Sequence, residues 1–325
     1  MVEIEAEKLI SVIMPTFGRV GGLERALSGI DRQTCQSLEV IVVDDNVDFE
    51  ANDRVRKICA RHKVTYILNQ GRKGGSGARN TGILAAGGKY IAFLDDDDFW
   101  LQEKLSAQVA FMERDNLACS FVGHYVLHQR SGAFRKCLYS GASITREHLL
   151  SGSCPQSLSL VMIRADTFHW AGLFDEELPS FQDFELLLRV SKKESVHFLN
   201  QCLAIITEHE AQRVSVDLTA RLRGLTLLKN KLAPVMDANS LTKIEKRFKA
   251  GAYAANARRV QNYNHIGALK FRMLALRENL KSLRLWLDFT LNLFGRWPHN
   301  FLLWVRQERC DSLSEIYHRE FRKDD

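Results

Sequence analysis

The sequence has no uninterrupted run of 18 apolar residues, so no segment of it is expected to span a bilayer as a helix. Its seven cysteines are scattered and never form a CxxC pair, which argues against a disulfide framework and against a zinc knuckle. Reduced thiols in a cytoplasmic protein are the expectation. The opening residues, MVEIEAEKLISVIMP, lack the basic start and the long apolar stretch of a secretory signal. Familiar phosphate-binding fingerprints are missing too. In GRKGGSGARNTGI (71–83), Asn80 stands where a dinucleotide fingerprint needs its third glycine. No G-x-x-x-x-G-K-[ST] occurs there, and G-x-S-x-G fails at Ala78.

What is present is ordinary globular composition. With 325 residues and 46% of them hydrophobic, the chain can bury a core for one large domain and a smaller one. The formal net charge of +6 is unevenly placed. Residues 216–325 carry 21 Lys and Arg against 11 Asp and Glu, whereas residues 1–215 carry 24 against 28. An acidic front and a basic tail predict two parts with different partners, divided near 215–225.

Apolar, β-branched runs at 9–15 and 38–45 read as buried parallel strands. Between them Leu23, Ala26, Leu27 and Ile30 recur at helical spacing over 21–34. The pattern continues with a helix over 50–63, a strand at 64–68, a helix over 75–86, a strand at 90–94 and a helix over 100–114. Such alternation predicts a doubly wound α/β sheet, with ligands beyond the carboxyl ends of its strands. Asp44 and Asp45 sit at one such end, and the run Asp95, Asp96, Asp97, Asp98 at another. Further on, a strand pair is expected over 117–128 and 134–139, a strand entering a helix over 157–166, and a helix over 182–193. A last strand falls within 197–215, after which the pattern is helical.

Four constellations carry chemistry. Consecutive carboxylates repel by about 1 kcal/mol per pair in bulk water and more where water is excluded. The aspartate run therefore reads either as a site for a hard divalent cation or as a solvated acidic loop. In an extended segment Asp95 and Asp97 would point the same way and converge on one ion. The loop with Arg72, Lys73 and Arg79 suits the approach of a phosphate, or is an ordinary glycine-rich turn. In FQDFELLLR, Asp183 and Glu185 are a helix cap or a general base. His209 could be a ligand, a phosphate contact or a structural histidine.

Taken together and in order, these segments resemble the family 2 glycosyltransferases of GT-A fold. SVIMPTFGR is similar to the family's V-x-x-P-T-Y-N-R opening, from which Gly18 departs. VIVVDDN resembles its V-D-D-G-S stretch, and GGSGARNTGI its G-x-x-x-A-R-N-x-G. FLDDDDFW followed by EKL and Gln108 resembles a DxD motif with W-x-P-x-K-L-x-x-Q, although Leu101 and Gln102 replace the usual proline spacing. GLFDEELPSFQDFELLLR resembles G-x-F-D-E followed by E-D-x-x-L-x-x-R, with Gln182 in place of the first acid. HEAQRVS is similar to a common ending of the catalytic domain. The match spans roughly residues 9–215.

The resemblance implies a mixed, mostly parallel sheet flanked by helices over 1–215, with a basic helical region over 216–325. It implies an inverting, metal-dependent enzyme that moves a sugar from a nucleotide-diphosphate donor, with UDP favoured, to a hydroxyl of a glycan or a lipid-linked acceptor. Bacterial surface polysaccharide synthesis is the implied setting. Asp95, Asp97 and His209 would hold Mn²⁺ or Mg²⁺. Pro15, Thr16, Arg19, Asp44, Asp45, Arg79, Asn80, Asp95 and Asp96 would contact the nucleotide sugar. Asp183 would be the base, and the loss of a carboxylate at Gln182 would lower its pKa relative to an acidic pair. A nucleotidyltransferase making the sugar nucleotide, and a silent sugar-nucleotide-binding subunit, are the alternatives.

In the tail, residues 281–306 mix Trp286, Phe289, Trp297 and Trp304 with Lys281, Arg284, Arg296 and Arg306. That mixture suits a helix lying on the inner membrane surface, or one packed on the catalytic domain or in a homodimer. Nothing in it resembles a nucleic-acid-binding module.

Overall fold

The computed structural model describes residues 9–128, 132–139, 141–151, 157–208, 218–261, 264–280 and 282–293. It opens with Ile10–Thr16 (β1), Val20–Ile30 (α1), Leu38–Asp44 (β2), Phe49–His62 (α2), Thr65–Leu68 (β3), Gly75–Ala85 (α3) and Tyr90–Phe93 (β4). β1 and β4 are buried along almost every residue, as central strands covered on both faces require. α1 turns Leu23, Ala26, Leu27 and Ile30 inward, the face its spacing predicts. α2 starts where the Asp48 carboxylate accepts a hydrogen bond from the Ala51 amide at 2.9 Å.

Next come Phe99–Trp100 (β5), Lys104–Arg114 (α4), Cys119–His128 (β6), Ala133–Cys137 (β7), Ser143–Ile144 (β8) and Arg146–Ser151 (α5). Val161–Arg164 (β9), Thr167–Ala171 (α6), Gln182–Val190 (α7) and Val196–Glu208 (β10) complete the sheet region. Among the described residues beyond it lie Leu218–Leu232 (α8), Ala238–Val260 (α9), His265–Glu278 (α10) and Leu283–Leu293 (α11).

The strands form one mixed sheet in the order β3-β2-β1-β4-β9-β6-β10-β5, with β7 on β6 and β8 on β10. β3, β2, β1 and β4 run parallel, β9 runs against both its neighbours, and β6 and β10 run parallel. The register pairs Thr16 with Asp44 and Asp44 with Leu68, so the carboxyl ends of three strands finish at one level. β4 ends beside them and releases the aspartate run there.

The helix expected from residue 100 begins instead at Lys104. Phe99 and Trp100 are held by Ile205 and Ala204 of β10, a two-residue pairing that leaves no periodicity to read. Lys104 is fully buried with its Nζ 3.7 Å over the Trp100 ring, and it finds no hydrogen-bond acceptor among the described residues. Burial holds its amine well below the ordinary lysine range.

Leu225, Leu228 and Leu232 of α8 and Leu241 and Ile244 of α9 belong to the same hydrophobic core as the sheet. α10 packs on α9 and α11 on α10, clamped by buried Arg272, which donates to Asp288 at 3.0 Å and to Gln261 at 2.6 Å. Leu283, Trp286 and Leu287 of α11 remain exposed. No helix among the described residues is long and apolar enough to cross a membrane.

Candidate active site

The aspartate run is a tight turn, not the extended segment expected from alternation: the Asp98 amide donates to the Asp95 carbonyl at 3.1 Å. The turn still gathers carboxylates, since oxygens of Asp95, Asp97 and Asp98 lie within 4.8 Å of one another. Asp98 is not solvated, as one reading of the sequence had it. It is 1% exposed, and it accepts hydrogen bonds from Ser159 Oγ at 2.7 Å, Ser157 Oγ at 3.1 Å and the Thr207 amide at 3.1 Å. Three neutral donors on one carboxylate make it an anchor for the turn. Ser159 also accepts from the Asp95 amide at 3.1 Å, and its carbonyl accepts from Trp100 Nε1 at 2.7 Å.

The other three aspartates meet cations or the end of β1. Arg19 Nη1 is 2.6 Å from Asp97 and 3.3 Å from Asp96. Asp96 also accepts from Thr16 Oγ1 at 2.9 Å and from the Phe17 amide at 3.4 Å. Burial and neighbouring Asp97 push Asp96 up to about 7, against the pull of Arg19 and Thr16. A Cβ on Gly22 would stand 2.4 Å from the Asp96 carbonyl oxygen, so only glycine lets α1 lie this close to the turn. Arg79 Nη2 reaches Asp95 at 2.5 Å. The donor set is all carboxylate oxygen, which fits a hard divalent cation, with Asp95 and Asp97 the members not committed to the Ser157 and Ser159 hydroxyls. His209 lies outside the described residues.

At the end of β2, Asp44 accepts from Asn46 Nδ2 at 2.7 Å and from Tyr66 OH at 3.0 Å. Asp45 accepts from Asn69 Nδ2 at 2.6 Å and from the Gly74 amide at 2.9 Å, which ties the glycine-rich loop to the strand. Pro15 is half-buried beside them. Asn80 is not brought to this cleft with the others. Its amide is consumed behind α3, donating to the Phe174 carbonyl at 2.9 Å and to Glu176 at 2.7 Å, and accepting from the Phe174 amide at 2.9 Å. Glu176 also accepts from the Arg72 amide at 2.6 Å, so the G-x-F-D-E acid is a brace for the loop that leads into α3, which carries Arg79.

Asp183 opens α7, and Phe181 just before the helix adopts the left-handed region at φ 66°. For a bulky residue that conformation costs about 1–2 kcal/mol. Packing holds it: the Phe181 ring lies 4.6 Å from Phe248 of α9, and Phe184 lies 4.9 Å from the same ring. Burial raises the Asp183 carboxyl above the usual range, while the Phe184 amide, Arg79 and Arg221 pull it back. Desolvation is thus the largest influence on Asp183. Arg79 pairs with Asp95 of the acidic turn, and its positive charge also lowers the Asp183 pKa.

The sequence reading missed Ser157, Ser159, Glu176, Arg221 and Phe248. The G-x-F-D-E stretch was a visible signal for Glu176; the others lie far in sequence from the residues they support.

A family model described as glycosyl transferase family 2 matches residues 11–152. An uncharacterized glycosyltransferase of Rickettsia conorii is 30% identical over 195 residues, which cover 58% of this chain and 31% of that protein. The chain spans less than a third of such Rickettsia relatives. The Escherichia coli UDP-Glc:alpha-D-GlcNAc-diphosphoundecaprenol beta-1,3-glucosyltransferase WfgD is 26% identical, over 64% of this chain and 79% of its own. Among solved structures, the mannosyltransferase PcManGT from Pyrobaculum calidifontis, in complex with GDP-Man and Mn²⁺, superposes with a TM-score of 0.56 at 16% identity. That likeness covers 89% of this chain and 85% of the other, and it gives the fold as GT-A.

Proposed function

The chain belongs to glycosyl transferase family 2, and on that premise we propose that it moves a sugar from a nucleotide-diphosphate sugar to an acceptor hydroxyl with inversion at the anomeric carbon. The observation that carries this reading is the shared cation: Arg79 pairs with Asp95 of the acidic turn and acts on Asp183 across the cleft. Such a shared charge supports a diphosphate site and a base that serve one sugar. The acceptor oxygen attacks the anomeric carbon and gives its proton to an Asp183 carboxylate oxygen. The bond from that carbon to the diphosphate oxygen breaks, and its electron pair leaves with the nucleoside diphosphate.

Asp95 and Asp97 are the residues that would hold Mn²⁺ or Mg²⁺, which supplies Lewis-acid charge neutralisation to phosphate oxygens when bound. Arg19 and Arg79 add fixed positive charge on the same side, and Thr16 and Asp96 shape the wall behind the nucleotide. UDP is the favoured carrier, because relatives such as WfgD use UDP-glucose. By the same route the acceptor is a lipid-linked glycan, and the exposed Leu283, Trp286 and Leu287 of α11 are the apolar contact that would rest on the cytoplasmic membrane surface.

The test is donor binding and turnover across UDP-, GDP- and dTDP-sugars, with Mn²⁺ and with chelator, for wild type and Asp183→Asn. One donor should bind only with metal, and the variant should bind it equally yet lose about 10²–10⁴ in rate. Metal-independent binding, or normal turnover by Asp183→Asn, overturns the reading. Release of free diphosphate would reassign the chain to nucleotidyl transfer.

A further inference from the structure

Arg221 comes from α8, outside the family-matched segment 11–152 and outside every motif that marks the catalytic region. Yet α8 is laid directly on the turn that precedes Asp183. Ser180 Oγ donates to the Ala220 carbonyl at 3.3 Å. A Cβ on Gly224 would stand 2.2 Å from Ser180 Oγ, so the approach tolerates no side chain there. One residue along from Ala220, the Arg221 guanidinium stacks over the Phe181 ring at 5.3 Å, with its Nε sealed from solvent. Phe181 is the residue in the left-handed conformation, and Asp183 follows it by two.

A guanidinium taken out of water needs a carboxylate, and so does the reverse. Among the described residues, Asp183 is a carboxylate whose charge acts on Arg221, while exposed Arg258 of α9 opposes it with like charge. From α3, Arg79 is the other cation acting on Asp183, and it is already paired with Asp95. On α7 itself, Glu185 is taken by Arg189 at 2.8 Å. Among the described residues, Arg221 is therefore the cation acting on Asp183 that is not also paired with the acidic turn.

We infer that Arg221 is a positioning residue of the reaction centre, contributed by the helical region after the sheet, which keeps the Asp183 carboxylate charged and aimed at the acceptor. The inference rests on Asp183 being the base. It also makes the catalytic site a product of both parts of the chain, with the second part needed for the chemistry.

The experiment reads Asp183 directly. The full chain is labelled with ¹³C at aspartate carboxyls, and the Asp183 resonance is assigned by its loss in Asp183→Asn. Arg221→Gln should move its titration midpoint up by about one pH unit, the lower end of what an adjacent arginine does to an aspartate. Arg221→Lys should leave the midpoint near wild type. Arg221→Met, which keeps an apolar stem on Phe181 and buries no amide, should repeat the Gln shift if Gln does not fold. In parallel, UDP release from a UDP-sugar panel with Mn²⁺ should show the acid limb of the rate displaced upward by the same amount. At a pH below that limb, the variant is then about tenfold slower, with donor binding unchanged. An unmoved midpoint in both neutral variants overturns the inference even if Asp183→Asn is inactive. Full turnover by Asp183→Asn would instead sink the base assignment, whatever the midpoint does.

Discussion

The two sides of the cleft are built by different means. On the proposed donor side, Thr16 and Asp44 end parallel strands and the aspartate turn follows another, and strand register sets them level. On the base side, Asp183 follows a strained turn whose geometry depends on Phe248 and Arg221, from helices well along the chain. The energetics differ accordingly. A sheet buried on both faces is held by many ladder bonds. The Phe181 turn offsets about 1–2 kcal/mol of backbone strain with an aromatic pair of about 0.5–1.5 kcal/mol, a narrow balance. The donor side should be rigid and the base side easy to disturb without unfolding the protein.

The largest test of that contrast removes the donor side's carboxylates. Asp95→Ala combined with Asp97→Ala should abolish metal-dependent donor binding, a weakening of about 10²–10³ or more by calorimetry, with little change in the melting temperature. A retained metal requirement would move the ion elsewhere. Phe248→Ala is the next test, because it touches only the base side. Loss of a half-buried ring should cost about 2 kcal/mol of stability, and the loosened turn about tenfold or more in kcat. Donor affinity should stay at the wild-type value, and a parallel loss of it would erase the distinction between the sides.

The smallest effect is expected from Lys104→Met beneath the aspartate turn. Burial depresses the native pKa of Lys104, so the unfolded chain takes up the proton first as pH falls through the ordinary lysine range near about 10.4. Its contribution to stability therefore shrinks from alkaline to neutral pH. Methionine removes that dependence and should raise stability at pH 7 by about 1 kcal/mol or more. Thermal melts between pH 7 and 10 should rise less steeply for the variant, and equal slopes would place a counter-charge beside Lys104.

Much of the donor side was legible in the sequence because its signals are local. Runs of β-branched residues end in acids, and the structure gathers those acids at one level of the sheet. The solvated-loop alternative fails at Asp98 because its partners Ser157, Ser159 and Thr207, 59, 61 and 109 residues away, bury it. The start of α4 was misplaced because a two-residue strand held by β10 has no pattern of its own. Asn80 sits inside a family-like motif, yet its amide serves Phe174 and Glu176, a use that spacing cannot distinguish from ligand contact. For Asp183 the sequence argument weighed a neighbouring charge and could not weigh burial, the largest of the influences the structure shows on it.

Arg79 divides its charge between Asp95 and Asp183, and that division has a kinetic meaning. Anything positive that settles on Asp95 frees Arg79 to act on Asp183, and anything negative that settles on Arg79 withdraws it. If Asp183 is the base, as proposed, donor occupancy and its proton affinity are two readings of one equilibrium, coupled equally in both directions. On the proposed function, filling one half of the cleft would change the readiness of the other through the charge of a single side chain.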